Sequence, residues 1–470
     1  MNEAPVHLTQ IHSRYDPIAE ADRYIQALNL SKDIQFFILI EPGLGYLAKS
    51  LQKHCGACKI IIIHIDEKLK PHIKEDQDIP AWYPGSGETI QGFLGREIPE
   101  SPASSIRIIE WRPSLRLYGK VYLEALREAA DFVKRSDASY RTGLNFSRRW
   151  VRNFFKNLKL IRKVMLYRTT GSSIIVTGSG PSLEKALPRI RQMAKNSYIL
   201  AASSSVQFLA QNGISADLVI STDGGSWALK HLYSGFRFSS NITGLAVNLC
   251  ASLPSQCSKF PFLILNDGTY WQTIVLHELG LPSVIIPQRG TVTASAAELA
   301  LTLSSANVYL AGMDLTVRDI QSHARPYAFD YLLYGCATRF KPLYCQYFKR
   351  SRNISGGGSL DVYASWFRER LKNWPKRIFS LDSDNTIFPP AFPSTDNAKR
   401  ENFLETESST GASGDYCKRA CSALVKALDE PQYGETLTRE LSSLLFPGIE
   451  GTGKKEIISE LDAIEGPCGD

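Results

Sequence analysis

The chain is expected to adopt an α/β fold: a Rossmann-like, mostly parallel central sheet, a smaller α/β domain before it and a helical region after it. Three observations predict this. Short apolar runs recur between residues 173 and 311 with helical segments between them. Two of those runs open into turns rich in Gly, Ser and Thr, each followed by a helix. The chain has 470 residues, 43% of them hydrophobic, enough for about two to four domains at roughly 100–200 residues each. Alternating β-rich and helical segments imply a parallel sheet covered on both faces.

In chain order, a first unit over 1–140 starts with a helix at Ile18–Leu28 and an apolar strand at Ile34–Ile40. The turn Glu41-Pro42-Gly43-Leu44-Gly45, a helix at Tyr46–Lys53 and a strand at Lys59–Ile65 ending in Asp66-Glu67 complete a βαβ pattern. A G-x-G turn before a helix suits a phosphate or simply a tight turn. Residues 77–104 read as loop from their Pro, Gly and Ser content, and Tyr122–Ser136 as a closing helix. Residues 141–171 read as a basic linking helix. Between 141 and 168 there are nine Lys or Arg and no acid, with Trp150, Phe154, Phe155, Leu158, Ile161 and Met165 at helical spacing. This pattern fits one buried and one solvated face, or a helix seeking an acidic partner or a membrane surface.

The central domain is expected over 172–388. Its strands are read at Ser173–Thr177, Tyr198–Ala202, Leu218–Ser221, Thr243–Val247, Phe262–Leu265, Val284–Ile286, Val308–Ala311 and Arg377–Leu381. Helices are read at Leu183–Lys195, Ser205–Gln211, Trp271–Leu279, Ala294–Leu303 and Leu360–Lys372. Residues 389–415 read as linker, and 416–470 as a helical region with helices at Tyr416–Leu428 and Glu435–Leu445.

Composition excludes several classes. The apolar content rules out a disordered chain, and 33 Gly with 24 Pro rule out a fibrous one. A net charge of +7 is too small to argue for nucleic acid. Nine scattered cysteines, including a single C-x-x-C at Cys55 and Cys58, read as free thiols in a reducing compartment rather than as a metal centre. No apolar run approaches the ~20 residues of a membrane helix. The expectation is a soluble, cytoplasmic protein of unknown oligomeric state.

The chemistry is expected at strand ends. Gly178-Ser179-Gly180-Pro181-Ser182 follows a strand and opens a helix. Its glycines allow close backbone approach, and the first-turn amides and Ser182 suit an anion, although an ordinary capped turn has the same look. Arg289-Gly290-Thr291-Val292-Thr293-Ala294-Ser295 repeats the arrangement with a guanidinium and three hydroxyls. Asp223 and Asp314 stand just beyond strands, where ligands of α/β sheets bind. His323 lies in the loop after the strand at 308–311 and is the candidate base, with His231 competing. Asp382-Ser383-Asp384 has the D-x-D form of a divalent-ion site but reads as a turn.

These residues carry a resemblance. Leu8-x-x-Ile11-His12-Ser13-Arg14-Tyr15-Asp16-Pro17-x-x-Glu20-Ala21, the Gly43-Leu44-Gly45-Tyr46 turn and the central segments resemble the bacterial motility-associated factor family, the flagellin glycosyltransferases. The likeness covers most of residues 7–388. The central unit also resembles the archaeal 6-hydroxymethylpterin diphosphokinases. It is similar as well to sialyltransferases that use CMP-activated nonulosonic acids, whose strand ending G-N-G-P-S-L corresponds to Ile175–Leu183. Their later strand ending G-x-D corresponds to Val308–Asp314, and their tyrosine loop to Tyr327-Ala328-Phe329-Asp330. Ser179 stands where those enzymes have asparagine, and no histidine follows His323.

The resemblance implies a metal-independent O-glycosyltransferase that needs no cofactor beyond its CMP-sugar donor. It would move a sialic, pseudaminic or legionaminic type acid onto Ser or Thr of flagellin. Gly178–Ser182 with Arg289, Thr291, Thr293, Ala294 and Ser295 would hold the CMP. Arg289, Thr293 and Tyr327 would meet its phosphate, His323 would act as base or leaving-group partner, and Asp223 and Asp314 would position sugar, ribose or acceptor. The alternatives are an ATP-dependent pterin diphosphokinase and a non-enzymatic flagellin-binding assembly factor.

Overall fold

The computed structural model describes residues 11–31, 33–55, 58–72, 78–98, 101–239, 241–287, 290–355, 359–391, 400–408, 415–449 and 451–469. The chain divides into two units, Met1–Asn145 and Phe146–Asp470.

The first unit contains α1 (Pro17–Ala27), β1 (Phe36–Ile40), α2 (Tyr46–His54), β2 (Lys59–Ile63), β3 (Ala81–Trp82), α3 (Ile90–Glu97), β4 (Ile106–Glu110), α4 (Arg112–Tyr118) and the start of α5 (Lys120–Leu158). Its strands lie in the order β3-β2-β1-β4 and all pair in parallel. Side chains alternate across the pleat. Phe37, Leu39, Ile60 and Ile62 pack with Ile25, Leu47 and Leu51, while Ile38, Ile40, Ile61 and Ile63 pack on the other face with Phe93, Leu94 and Tyr122.

The G-x-G turn is filled by a side chain. Gly43 and Gly45 have φ of +80° and +92°, and Leu44 donates its N–H to His12 Nε2 at 3.0 Å. A Cβ on Gly43 would lie 2.3 Å from that nitrogen. The imidazole thus stands where a phosphate would have to approach. In the C-x-x-C, the Cys58 thiol donates to the Cys55 carbonyl. Burial and the neighbouring Cys55 push it up to about 11, the opposite of a reactive thiolate.

Two local expectations are corrected here. The stretch read as loop over 77–104 contains β3 and α3, because Ile90, Phe93 and Leu94 are drawn into the core and Thr89 caps the helix through Gly92 N–H. The helix read at Tyr122–Ser136 and the one begun at 141 are a single helix, α5. No proline interrupts 120–158, and one glycine, Gly143, is tolerated there.

The second unit takes in the end of α5 and then β5 (Lys163–Tyr167), β6 (Ile174–Thr177), α6 (Ser182–Met193), β7 (Tyr198–Ala202), α7 (Val206–Gln211), β8 (Leu218–Ser221), α8 (Ala228–Phe238), β9 (Gly244–Asn248) and β10 (Phe262–Asn266). There follow α9 (Tyr270–Glu278), β11 (Ser283–Ile285), α10 (Val292–Leu303), β12 (Val308–Ala311), α11 (Asp330–Gly335), α12 (Leu343–Ser355), α13 (Ser359–Asn373) and β13 (Ile378–Ser380). β14 (Leu404–Ser408), α14 (Asp415–Leu428), α15 (Gly434–Leu445) and α16 (Lys454–Gly469) close the chain.

Among the described residues the sheet has ten strands in the path β13-β12-β6-β7-β8-β9-β10-β5-β14, with β11 pairing β10. Every pair is parallel except β14 with β5. The fold is α/β with a parallel-dominated sheet. The order runs one way from β6 through β10, while β12 enters on the other side of β6. That reversal is a topological switch point, where open α/β sheets leave a crevice beyond their carboxyl ends.

One face of the sheet carries Ile175, Val219, Leu245 and Ile264 against α6 to α9. The other carries Val176, Ile220, Leu265 and Leu310 against α10. Val151, Phe154, Phe155 and Leu158 of α5 are buried in the first of these clusters, and Asn157 donates to the carbonyls of Leu249 and Ala251 at 2.8 and 2.7 Å. The basic stretch therefore has one packed face. Ile161 and Met165, read at helical spacing, lie beyond the helix, Met165 in β5. Within the expected linker, Leu404–Ser408 forms a strand in register with Tyr167–Lys163. Leu424, Leu441 and Leu461 of the C-terminal helices join Trp271 and Val275 of α9 in the same core. Among the described residues no helix is long and apolar enough to cross a membrane.

Candidate active site

Three segments meet at the switch point. Gly178 donates its N–H to the Ala311 carbonyl and Gly180 to the Gly312 carbonyl, both at 2.8 Å. A Cβ on Gly178 would lie 2.5 Å from Gly312 O and 3.0 Å from Thr293 Cγ2. On Gly180 it would lie 2.1 Å from Asp314 Oδ2. The glycines are required because the turn after β6 packs on the backbone of the turn after β12 and against the Thr293 and Asp314 side chains. Ala324 donates to the Ser179 carbonyl at 2.8 Å, which brings the His323 loop onto the same turn.

The N-terminus of α6 is closed. Asp314 Oδ2 accepts from the Ser182 N–H at 3.0 Å and from its hydroxyl at 2.8 Å, while Oδ1 pairs with Arg318 Nε at 2.9 Å. Burial pushes the Asp314 carboxyl up, and the Ser182 bonds and Arg318 oppose that. The helix end read as an anion cradle is thus occupied by the protein's own carboxylate. Asp314 and Ser182 belong to the scaffold of the crevice, with Pro181 buried beside them.

Arg318 also pairs with Asp382 and lies 3.8 Å from Asp384. The Asp384 N–H donates to Asp382 Oδ1 at 3.3 Å. The D-x-D forms a turn around a guanidinium, which supplies the positive charge a divalent ion would bring.

The second junction is less committed. Thr291 Oγ1 caps α10 by accepting from Ala294 N–H at 3.0 Å and lies 3.2 Å from Thr293 Oγ1. The Val292 and Thr293 amides precede the helix's own hydrogen bonds. Ala294 and Ser295 are buried behind them. Arg289 lies outside the described residues. Asp223 is exposed and accepts from the Gly225 N–H at 2.7 Å, closing its own turn.

His323 stacks on Tyr327 with ring centroids 4.0 Å apart, and its Nδ1 meets the Ser322 hydroxyl at 2.9 Å. Tyr327 Oη lies 3.4 Å from His231 Nε2, so both candidate bases share one tyrosine. Burial, then the charge of Arg350, then His231 lower His323 to about 3. Burial and Arg350 lower His231 to about 4. Burial pushes the Tyr327 hydroxyl up to about 12, against the pull of Arg350. Both imidazoles are therefore neutral near pH 7, and Tyr327 keeps its proton. Among the described residues His231 Nδ1 is buried without a hydrogen-bond partner.

Some residues here went unmarked in the sequence. Arg350 sits among Lys349 and Arg352 and nothing in the spacing separates it from surface charge. Gln207 and Ser221 are 2% and 1% exposed, and the Gln207 amide and Ser221 hydroxyl have no hydrogen-bond partner among the described residues. Val219 faces α7 and α8, and alternation puts Ser221 on that face at the strand's carboxyl end.

Residues 148–319 match the family model described as 6-hydroxymethylpterin diphosphokinase MptE-like. The match takes in Gly178–Ser182, His231, Thr291–Ser295 and Asp314, and stops short of His323 and Tyr327. An uncharacterized protein of Treponema pallidum (strain Nichols) is 25% identical over 382 residues, 78% of this chain and 81% of that one. A second uncharacterized protein of the same organism is 26% identical over 117 residues, 24% of this chain and 56% of its own. Among solved structures, the MAf glycosyltransferase from Magnetospirillum magneticum AMB-1 aligns with 99% of this chain and 78% of its own length, at 12% identity and a TM-score of 0.49.

Proposed function

We propose that the chain is a glycosyltransferase moving a nonulosonic acid from a CMP-activated donor to a Ser or Thr hydroxyl of flagellin. One observation carries the reading: His323 and His231 each contact Tyr327, and the loop that carries His323 and Tyr327 is bonded to the glycine turn at the sheet's switch point. The acceptor oxygen bonds the anomeric carbon of the sugar as that carbon's bond to the CMP phosphate breaks. The hydroxyl proton passes to a neutral imidazole nitrogen of His323 or His231. Tyr327, which keeps its proton, donates a hydrogen bond to the developing phosphate charge. The hydroxyls of Thr291 and Thr293 and the first amides of α10 supply further donors beside Gly178. The donor and the acceptor come from the resemblance of the sequence to flagellin glycosyltransferases, and the cytoplasmic location from the scattered cysteines and the shortness of the apolar runs.

A diphosphokinase is the second reading, favoured by the description of the matching family model. Transfer of a diphosphate from ATP needs carboxylates that bridge a divalent ion, and Asp314 and Asp382 are already paired with Arg318. The pairing weighs for the glycosyl donor. Thermal-shift titration separates the two: CMP without metal is expected to stabilise the protein and ATP with Mg²⁺ is not. The transferase reading further expects flagellin to gain the mass of one such sugar per modified site when incubated with protein and CMP-sugar. It expects His323→Ala to abolish that gain, and unchanged flagellin mass with the wild-type protein would overturn it.

A further inference from the structure

We propose that Arg350, on α12, holds the anionic phosphate of the donor. The inference rests on the glycosyl-transfer reading and names the group that recognises the leaving nucleotide. Arg350 makes no ion pair with any carboxylate among the described residues. Its guanidinium carbon lies 5.8 Å from the Tyr327 ring centroid, and its charge acts on Tyr327, His323 and His231 together.

The nearby acid is taken. Asp330 accepts from the Tyr327 N–H at 2.9 Å and from the Tyr347 hydroxyl at 2.8 Å, while Tyr347 carries the Arg325 guanidinium over its ring at 3.8 Å. A permanent cation thus stands beside two neutral imidazoles and a protonated phenol, with the nearby Asp330 carboxylate bonded to Tyr327 and Tyr347 instead of pairing with Arg350. A phosphate monoanion matches the planar fork of the guanidinium and accepts from Tyr327 as well. Once bound, it offsets the Arg350 charge that adds to burial in lowering His323 and His231, and so moves both imidazoles towards a more basic state.

The test is titration calorimetry on the full-length protein, comparing CMP with cytidine. The wild type is expected to bind CMP about tenfold or more tighter, and Arg350→Gln to bring that ratio close to one. An unchanged ratio in Arg350→Gln overturns the proposal. Should that variant fail to fold, Arg350→Lys carries the test. A point charge without the fork is expected to lose several-fold of the ratio, and no loss overturns the proposal. Inorganic pyrophosphate separates this site from the functional reading. Arg350-dependent pyrophosphate binding in a protein that ignores CMP keeps the anion site while the CMP donor fails. Binding of neither by the wild type overturns both.

Discussion

Asp314 crosses from the end of β12 to the first turn of α6 and accepts the Ser182 hydroxyl at 2.8 Å. The two residues are 132 positions apart, and their bond closes one of the two helix ends at the sheet's switch point. The start of α10 and the loop that carries His323 and Tyr327 lie against the same junction.

Removing that bond is a stability experiment. Asp314→Ala is expected to cost about 1–2 kcal/mol, in the range of a lost helix cap, measured by denaturant unfolding. Gly180→Ala is expected to cost a similar amount, since its Cβ would meet Asp314 Oδ2 at 2.1 Å. In the double mutant the costs should fall short of their sum, because either change alone already breaks the same contact. Strict additivity would show the contact to be unimportant.

Arg318 joins three carboxylates. Arg318→Gln leaves Asp314 and Asp382 facing each other and is expected to destabilise by about 2 kcal/mol, less than a fully buried pair because Arg318 is partly exposed. Millimolar Mg²⁺ or Mn²⁺ is then expected to restore part of the melting temperature in Arg318→Gln and to leave the wild type unchanged. The same rise in both proteins would show that the ion acts elsewhere.

His323 and His231 have folded-state values lowered from 6.5 to about 3 and about 4, and His12 in the first unit is lowered to about 4 by burial. The unfolded chain therefore binds more protons than the folded one below about pH 6.5. Stability from these groups is fully present above that pH and is lost progressively as pH falls towards 4. Melting temperatures from pH 7.5 to 4.5 should fall, and His323→Phe should flatten the acid limb of the second unit's transition. With CMP bound, the imidazole resonances of His323 and His231 should titrate at higher pH than in the free protein. A downward move would count against phosphate at this site.

Gln207 carries an amide with both ends unbonded in the interior among the described residues. Gln207→Leu keeps the volume and removes the unpaired groups, so it is expected to be neutral or to raise stability by about 1 kcal/mol. If the amide serves the donor, the same variant weakens CMP binding while gaining stability. A destabilised variant would mean that buried water satisfies Gln207.

Local chemistry determined much of this protein. Four- and five-residue apolar runs placed β7, β8 and β12 at the residues read from the sequence, because a strand buried on both faces needs no partner to announce it. The Gly178–Ser182 and Thr291–Ser295 junctions were legible for the same reason: glycine and capping hydroxyls mark the points where a strand turns into a helix. Tertiary structure decided what local patterns cannot carry. It joined two helical segments into α5, recruited Leu404–Ser408 as a strand against β5, and filled the end of α6 with Asp314 and the first unit's G-x-G turn with His12. It also set His231, His323 and Arg350 around one tyrosine across more than a hundred residues of chain. Each of these outcomes depends on which distant group arrives to satisfy a buried donor, charge or apolar surface, and residue spacing holds no record of that meeting.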